Sequence, residues 1–208
     1  MIRMRMAFAL LVGFAGALGA QAGAATSASA GLVPEGFGSR KQDEIAVKLQ
    51  HMGLSIKAIP LDEAILRLLA PDSHRALRGI RESRAKQLEA IAARTGVARV
   101  QAWYVSYYTL EPGEARYEPM DVVLRSGGRD YRPLDVIAVT PGFGEGRVAQ
   151  RQQQSAIFVY DASIDLSQPV TVLAAGQQST GWTETLSLLD AERSAVWSRS
   201  SAGTQKKP

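Results

Sequence analysis

Ser155–Leu173 reads SAIFVYDASIDLSQPVTVL, and the way this stretch divides decides the fold. Ala156 to Tyr160 is a dense run of β-branched and aromatic residues, suited to a pleated and mostly buried surface. Asp161, Ser163, Asp165, Ser167 and Pro169 then punctuate the chain. Asp and Ser side chains bond nearby backbone and favour turns, and Pro cannot donate to a sheet ladder. Val170 to Leu173 resumes strand composition. The stretch is therefore predicted as two strands around one turn. A lone hairpin is marginal in water, so the pair requires a wider sheet.

Upstream, Arg99–Thr109 is a long strand candidate. Trp103, Val105 and Tyr107 fall on one face, and Val100, Ala102, Tyr104 and Tyr108 on the other. Glu111 to Glu114 signals a turn. Met120–Arg125, a tight turn at Ser126-Gly127-Gly128, and Asp130–Arg132 read as a hairpin. Val136–Thr140 is another strand, Pro141–Gly146 a flexible loop, and Thr180–Leu186, with Trp182, a final strand. Short strands at close intervals with no helical pattern between them predict an antiparallel sandwich or partly closed barrel over 98–189.

Residues 40–97 carry helical signals. Ile45 and Leu49 are spaced i, i+4 within Arg40–Gln50. Pro60 opens a second segment with Leu61, Ile65, Leu68 and Leu69 on one face, and Pro71 closes it. Asp72 or Ser73 caps a third helix running to Thr95, with Gly96 at its end and a weak middle at Ser83–Lys86. The predicted class is α+β: two or three helices, then the antiparallel sandwich. Residues 190–208 are Ser-, Arg- and Lys-rich and read as a disordered tail.

The N-terminus reads as an address. Arg3 and Arg5 precede an apolar run, Ala7–Leu18, and the small residues Ala20 and Ala22 come next, which is the layout of a secretory signal peptide over 1–22, with Ala28-Ser29-Ala30 as a second candidate cut site. The run is short for a bilayer span, so no transmembrane segment is expected after cleavage. Gly23–Ser39, rich in Ala, Ser and Gly, reads as a flexible leader. The expected location is periplasmic or extracellular, without a lipid anchor, since the 208 residues contain no cysteine.

That absence also excludes disulfides, thiolate metal sites and a cysteine nucleophile. Two histidines, His51 and His74, are too few for an ordinary cysteine-free zinc site. The net charge of +4 is halved if Arg3 and Arg5 leave with the signal peptide, which argues against a nucleic-acid partner.

The run Tyr131-x-Pro133, Pro141-Gly142, Ile157-Phe158-Val159-Tyr160-Asp161 and Pro169-Val170-Thr171-Val172 resembles immunoglobulin-like β-sandwich domains of exported bacterial proteins, across about Ala98–Leu186. The Cys…Trp…Cys pattern of true immunoglobulin domains is missing. The resemblance implies a binding or packing module and carries over no catalytic residue.

The sequence holds little recognisable chemistry. No G-x-S-x-G elbow accompanies the histidines, and Ser73-His74 reads as a helix cap with an exposed neighbour. Gly142-x-Gly144-x-Gly146 lacks the lysine and the strand–loop–helix setting of a phosphate loop. Asp161 and Asp165, with Ser163, offer too few oxygens for calcium and read as a turn. Arg75, Arg78, Arg81 and Arg84 sweep around a helix as a solvated band, an anionic surface being the functional alternative. No cofactor is implied. The aromatic group Trp103, Tyr104, Tyr107 and Tyr108 is the binding candidate: an open face would take a glycan, peptide or envelope protein, a covered face would make these residues structural. The chain reads as an exported binding, scaffolding or envelope-associated module, the alternative being an enzyme or enzyme accessory acting on envelope polymers.

Overall fold

A computed structural model describes residues 31–204. The signal segment 1–22, the first part of the leader and residues 205–208 lie outside the described residues.

The strand Val100–Thr109 (β3) forms as expected and organises the largest sheet. Its neighbours correct the reading of Arg40–Gln50 as helix. Only Gln42–Ile45 (α1) is helical there. Val47–His51 (β1) and Leu54–Pro60 (β2) form an antiparallel hairpin instead. The reason is a period of two: Val47 and Leu49 are buried while Lys48 and Gln50 are exposed. Met52 and Gly53, with φ of 43° and 76°, make the two-residue turn of positive φ that such a hairpin favours.

The remaining strands are Glu114–Arg116 (β4), Val122–Ser126 (β5), Arg129–Tyr131 (β6), Asp135–Ala138 (β7), Arg147–Ala149 (β8), Gln153–Asp161 (β9), Val170–Ala174 (β10) and Gln177–Ser179 (β11). They assemble as a five-stranded sheet in the order β1-β2-β3-β9-β7, a four-stranded sheet in the order β11-β10-β5-β6, and the ribbon β4-β8. Every strand pairing among the described residues is antiparallel. The predicted hairpin around Gly127-Gly128 is β5–β6.

The two strands of the Ser155–Leu173 stretch do not pair with each other. β9 lies between β3 and β7, whereas β10 lies between β11 and β5 in the other sheet. The connection is tied down along its length. Asp161 accepts from the Ser163 amide at 2.8 Å, and Asp165 from the Ser167 amide at 2.9 Å. Ile164 is buried. The Leu166 carbonyl accepts the Trp182 indole N–H at 3.1 Å. Asp161 and Asp165 are thus turn-formers, held below the usual carboxylate range chiefly by the Ser163 amide in the first case and by the Ser167 hydroxyl, at 2.7 Å, in the second.

Helices Glu63–Leu66 (α2), Pro71–Glu82 (α3), Ala85–Thr95 (α4) and Trp182–Thr204 (α5) complete the chain. Pro71 starts α3 rather than ending its predecessor, because its missing N–H costs nothing at the first helical position. α3 and α4 split at Ser83–Arg84, within the weak middle, and Gly96 closes α4 in the left-handed conformation. The arginine band is therefore not carried by one continuous helix. Ala70, not Asp72 or Ser73, occupies the cap position of α3, and His74 is buried rather than exposed. The segment Pro141–Glu145 is a 3-10 helix, not a flexible loop. Its Phe143 is buried, and the Phe143 carbonyl accepts from the Tyr117 hydroxyl at 2.7 Å.

The largest correction concerns the C-terminus. The expected strand over Thr180–Leu186 does not form, and the described part of the expected tail, residues 190–204, is helical, since α5 runs Trp182–Thr204. Trp182, Thr185, Leu189, Glu192 and Val196 alternate in steps of three and four, and all are buried. Trp182 packs on Trp103 with ring centroids 5.8 Å apart. Glu192 is 1% exposed yet ionic. Its carboxylate accepts from the Ser39 amide at 2.8 Å, the Ser39 hydroxyl at 2.9 Å, Arg40 Nε at 3.1 Å and the Arg199 guanidinium. Burial works hardest against its ionisation, but the two Ser39 bonds and Arg199 together outweigh it and hold the carboxyl below the ordinary glutamate value.

This clasp also corrects the leader. Val33 is buried, the Arg40 amide donates to the Leu68 carbonyl at 3.1 Å, and the Ala70 amide donates to the Arg40 carbonyl at 2.8 Å. The chain around Gly38 approaches so closely that a Cβ there would meet the Leu68 and Leu69 backbone at 2.4 Å.

Candidate binding surface

The two faces of β3 have different fates. Trp103 and Tyr107 point into the core and are 0% and 1% exposed. Tyr107 stacks on Tyr117 at 4.1 Å between ring centroids, and Phe143 packs edge-on against Phe158 at 6.1 Å. Tyr160 of β9 donates to the Val122 carbonyl of β5 at 2.9 Å and so links the two larger sheets. Burial raises the hydroxyl pKa of each of these tyrosines, to about 12 for Tyr117 and well above the ordinary value for Tyr107 and Tyr160.

On the opposite face, cross-strand pairing arranges the side chains in rows. One row runs Ile59, Tyr104, Ile157 and a second, further along, contains Ala102 and Val159. All five residues are buried. The second row continues to Asp135, whose carboxylate receives Arg94 of α4 at 2.6 Å, so α4 lies over this end of the sheet.

Towards the other end the same face turns polar. One row reads Lys48, Lys57, Ser106, Ser155, and the next reads Gln50, Ser55, Tyr108, Gln153. No apolar side chain interrupts the eight positions. Lys48 and Lys57 are directly opposite each other, an arrangement that repels unless a counter-charge intervenes. Asp43, on the one-turn α1, supplies it: its carboxylate oxygens lie 2.6 Å from Lys48 Nζ and 2.5 Å from Lys57 Nζ. Lys48 and Lys57 in turn hold the Asp43 carboxyl below its usual range. Gln153 donates to the Tyr104 hydroxyl at 3.0 Å. Among the described residues nothing partners the side chains of Ser55, Ser106 and Tyr108. These groups line a concavity of about 760 Å³. Met52 and Leu110, 85% and 66% exposed, stand at its rim.

The four aromatic residues singled out in the sequence are therefore divided. Trp103, Tyr104 and Tyr107 are covered, and Tyr108 alone is half-open, on the polar rows. Lys48 escaped sequence reasoning because a helix was expected over Arg40–Gln50, and Ser55 and Lys57 because they fell between two expected helices in a segment read as helical. The alternation of Val47-Lys48-Leu49-Gln50 was the available signal.

A larger cavity, about 970 Å³, opens between α4, the 162–167 connection and α5. Its carboxylates are largely engaged. Asp62 caps α2 through the Ala64 amide at 2.9 Å, Glu63 binds Arg67 at 2.8 Å, Glu82 binds Arg78 at 2.9 Å and Asp190 binds Arg193 at 2.5 Å. Each of these four carboxylates already has a partner within the chain. Among the described residues no three His, Cys, Asp or Glu side chains converge as metal ligands, and no helix is long and apolar enough to cross a membrane.

No protein-family model, curated protein or solved structure matches this chain.

Proposed function

We propose that this protein is an exported, non-catalytic binding module of the cell envelope, and that the polar half of the five-stranded sheet is its binding surface. The carrying observation is the change from apolar to polar rows on one continuous sheet face. Apolar rows lie where helix covers the sheet. Polar rows, with unpartnered hydroxyls and a half-open tyrosine, lie beyond it and run from exposed Lys48, Gln50 and Gln153 to buried Ser106 and Ser155. The engaged carboxylates of the larger cavity favour binding over hydrolysis of an envelope polymer. The partner is an envelope protein or polymer, and no cofactor enters.

The architecture behind this reading is a sandwich of the two larger antiparallel sheets, of the general kind found in immunoglobulin-like modules. The Tyr160–Val122 hydrogen bond between them supports it. Export rests on the layout of residues 1–22. Cell fractionation with N-terminal sequencing tests it: a processed N-terminus in the envelope fraction is expected, and an intact Met1 in the cytosol refutes export. Co-sedimentation with isolated envelope tests the surface. Ser106→Lys, which fills the concavity, is expected to abolish sedimentation, and unchanged sedimentation of a folded variant removes the surface from the proposal.

A further inference from the structure

From the chemistry of this surface we infer its ligand class: an uncharged, polyhydroxylated chain, that is, a neutral saccharide. The inference rests on the reading of the polar rows as the binding surface.

Charge is the first guide. The carboxylates and amines around the concavity balance, Lys48 and Lys57 against Asp43 and Glu111. An acidic polymer or a nucleic acid is held by surplus positive charge, which is missing here. Hydrogen bonding points the same way. Ser55, Ser106 and Tyr108 offer hydroxyls that both donate and accept, and Gln50 and Gln153 offer amides that do the same. A ligand that presents donor and acceptor at each position, as a sugar hydroxyl does, matches such a field. A hydrocarbon chain would meet apolar side chains at the rim, Met52 and Leu110, but not along the two polar rows.

Geometry separates a saccharide from a peptide. An extended peptide is recognised through backbone bonds to a sheet edge and pockets for alternate side chains. This surface is a sheet face, whose backbone groups are paired between strands except along the outer edge of β1 at its margin. It presents side chains alone, in straight rows across four strands, a span of about 14 Å at the usual strand spacing. Tyr108 stands in the second row, half-open, with its ring as the one flat apolar platform beside the hydroxyls. Aromatic rings take the C–H faces of sugars in the same way that they take other apolar faces, leaving the hydroxyls to the polar neighbours.

The test is amide chemical-shift mapping on the mature chain with four probes: cellotetraose, the chitin tetramer, tetragalacturonate and tetra-alanine. The expected result is that a neutral tetrasaccharide shifts Ser55, Lys57, Ser106, Tyr108 and Gln153, with an affinity that 0.5 M salt leaves unchanged. Tyr108→Ala is expected to weaken that affinity about tenfold, and Tyr108→Phe to retain it, because the ring and not the hydroxyl makes the platform. If tetragalacturonate or tetra-alanine shifts these amides and neither neutral probe does, the surface stands as a binding site and the saccharide assignment is overturned. If none of the four probes moves them, the assignment is equally overturned, and envelope co-sedimentation decides separately whether the surface binds anything.

Discussion

Glu192→Ala should loosen the join between the first described residues and the last helix. The carboxylate holds four donor groups: the Ser39 amide and hydroxyl, Arg40 and Arg199. Removing one member of a buried ionic group typically costs about 3–5 kcal/mol, because the remaining charges lose their partner. Here the lower end applies, since the Arg40 and Arg199 side chains are 29% and 40% exposed and can rehydrate. A loss of about 3 kcal/mol in a chain of this size lowers the melting temperature by about 6–12 °C. Glu192→Gln keeps an acceptor for the Ser39 amide but not the charge, and should lose about half as much. Thermal unfolding followed by circular dichroism measures both, with Glu89→Ala on the exposed side of α4 as the control.

The same clasp has a pH signature. Its carboxyl is held below the ordinary glutamate value of 4.5, so the folded form keeps its proton off more readily than the unfolded chain. The stabilisation is therefore fully present above that value and is lost as pH falls through the folded pKa. The gap between wild type and Glu192→Ala should stay constant from pH 8 to 6 and narrow in acid. A Glu192→Ala protein that melts with the Glu89→Ala control, or a gap that widens in acid, would refute the reasoning.

Two further perturbations probe the packing. Tyr107→Phe and Tyr117→Phe should move in opposite directions under urea denaturation. The Tyr107 hydroxyl is buried without a partner, so its removal leaves stability equal or higher, whereas losing the Tyr117 hydroxyl strands the Phe143 carbonyl and costs about 1–2 kcal/mol. Gly38→Ala places a methyl 2.4 Å from the Leu68 and Leu69 backbone and should lower the urea midpoint by the equivalent of about 2 kcal/mol or more, while Gly79→Ala, whose methyl would meet open space, should not lower it.

The strands with dense β-branched and aromatic composition were legible from their residues. β3 and β9 have their expected places, as does the β5–β6 hairpin around its two glycines. What failed did so for identifiable reasons. Val47-Lys48-Leu49-Gln50 supports a helical i, i+4 pair and a strand alternation equally over so short a run, and the tertiary demand of β3 for a neighbour settles it. β9 and β10 are close in sequence, but proximity does not compel pairing when the connection is anchored elsewhere, here by the Trp182 indole on Leu166. α5 was obscured by composition. Its buried stripe includes a threonine and a glutamate, and its outer side is filled by serines and arginines that read as a tail. The pattern Trp182, Leu189, Val196 at intervals of seven was present and was the usable signal. A buried glutamate cannot be foreseen from its own segment, because the groups that satisfy it, Ser39 and Arg40, are some 150 residues away.

The polar rows pose the question of whether they are a site or merely the wet end of a sheet. A wet end needs only hydrophilic residues, and the inexpensive choice across a strand pair is opposite charge. Lys48 opposite Lys57 is the unfavourable choice, and it is corrected from outside the sheet by Asp43 on a helix one turn long. The correction fixes three charged side chains along one edge of the concavity, where free lysines would sweep across it. The opposite edge is set by Gln153, held to the Tyr104 hydroxyl, which is itself fixed in a buried ring. Between these two fixed borders the hydroxyls of Ser55, Ser106 and Tyr108 remain without internal partners. Order at the borders and unspent hydrogen-bonding capacity in the middle is the distribution that recognition requires, because ligand binding then orders few side chains.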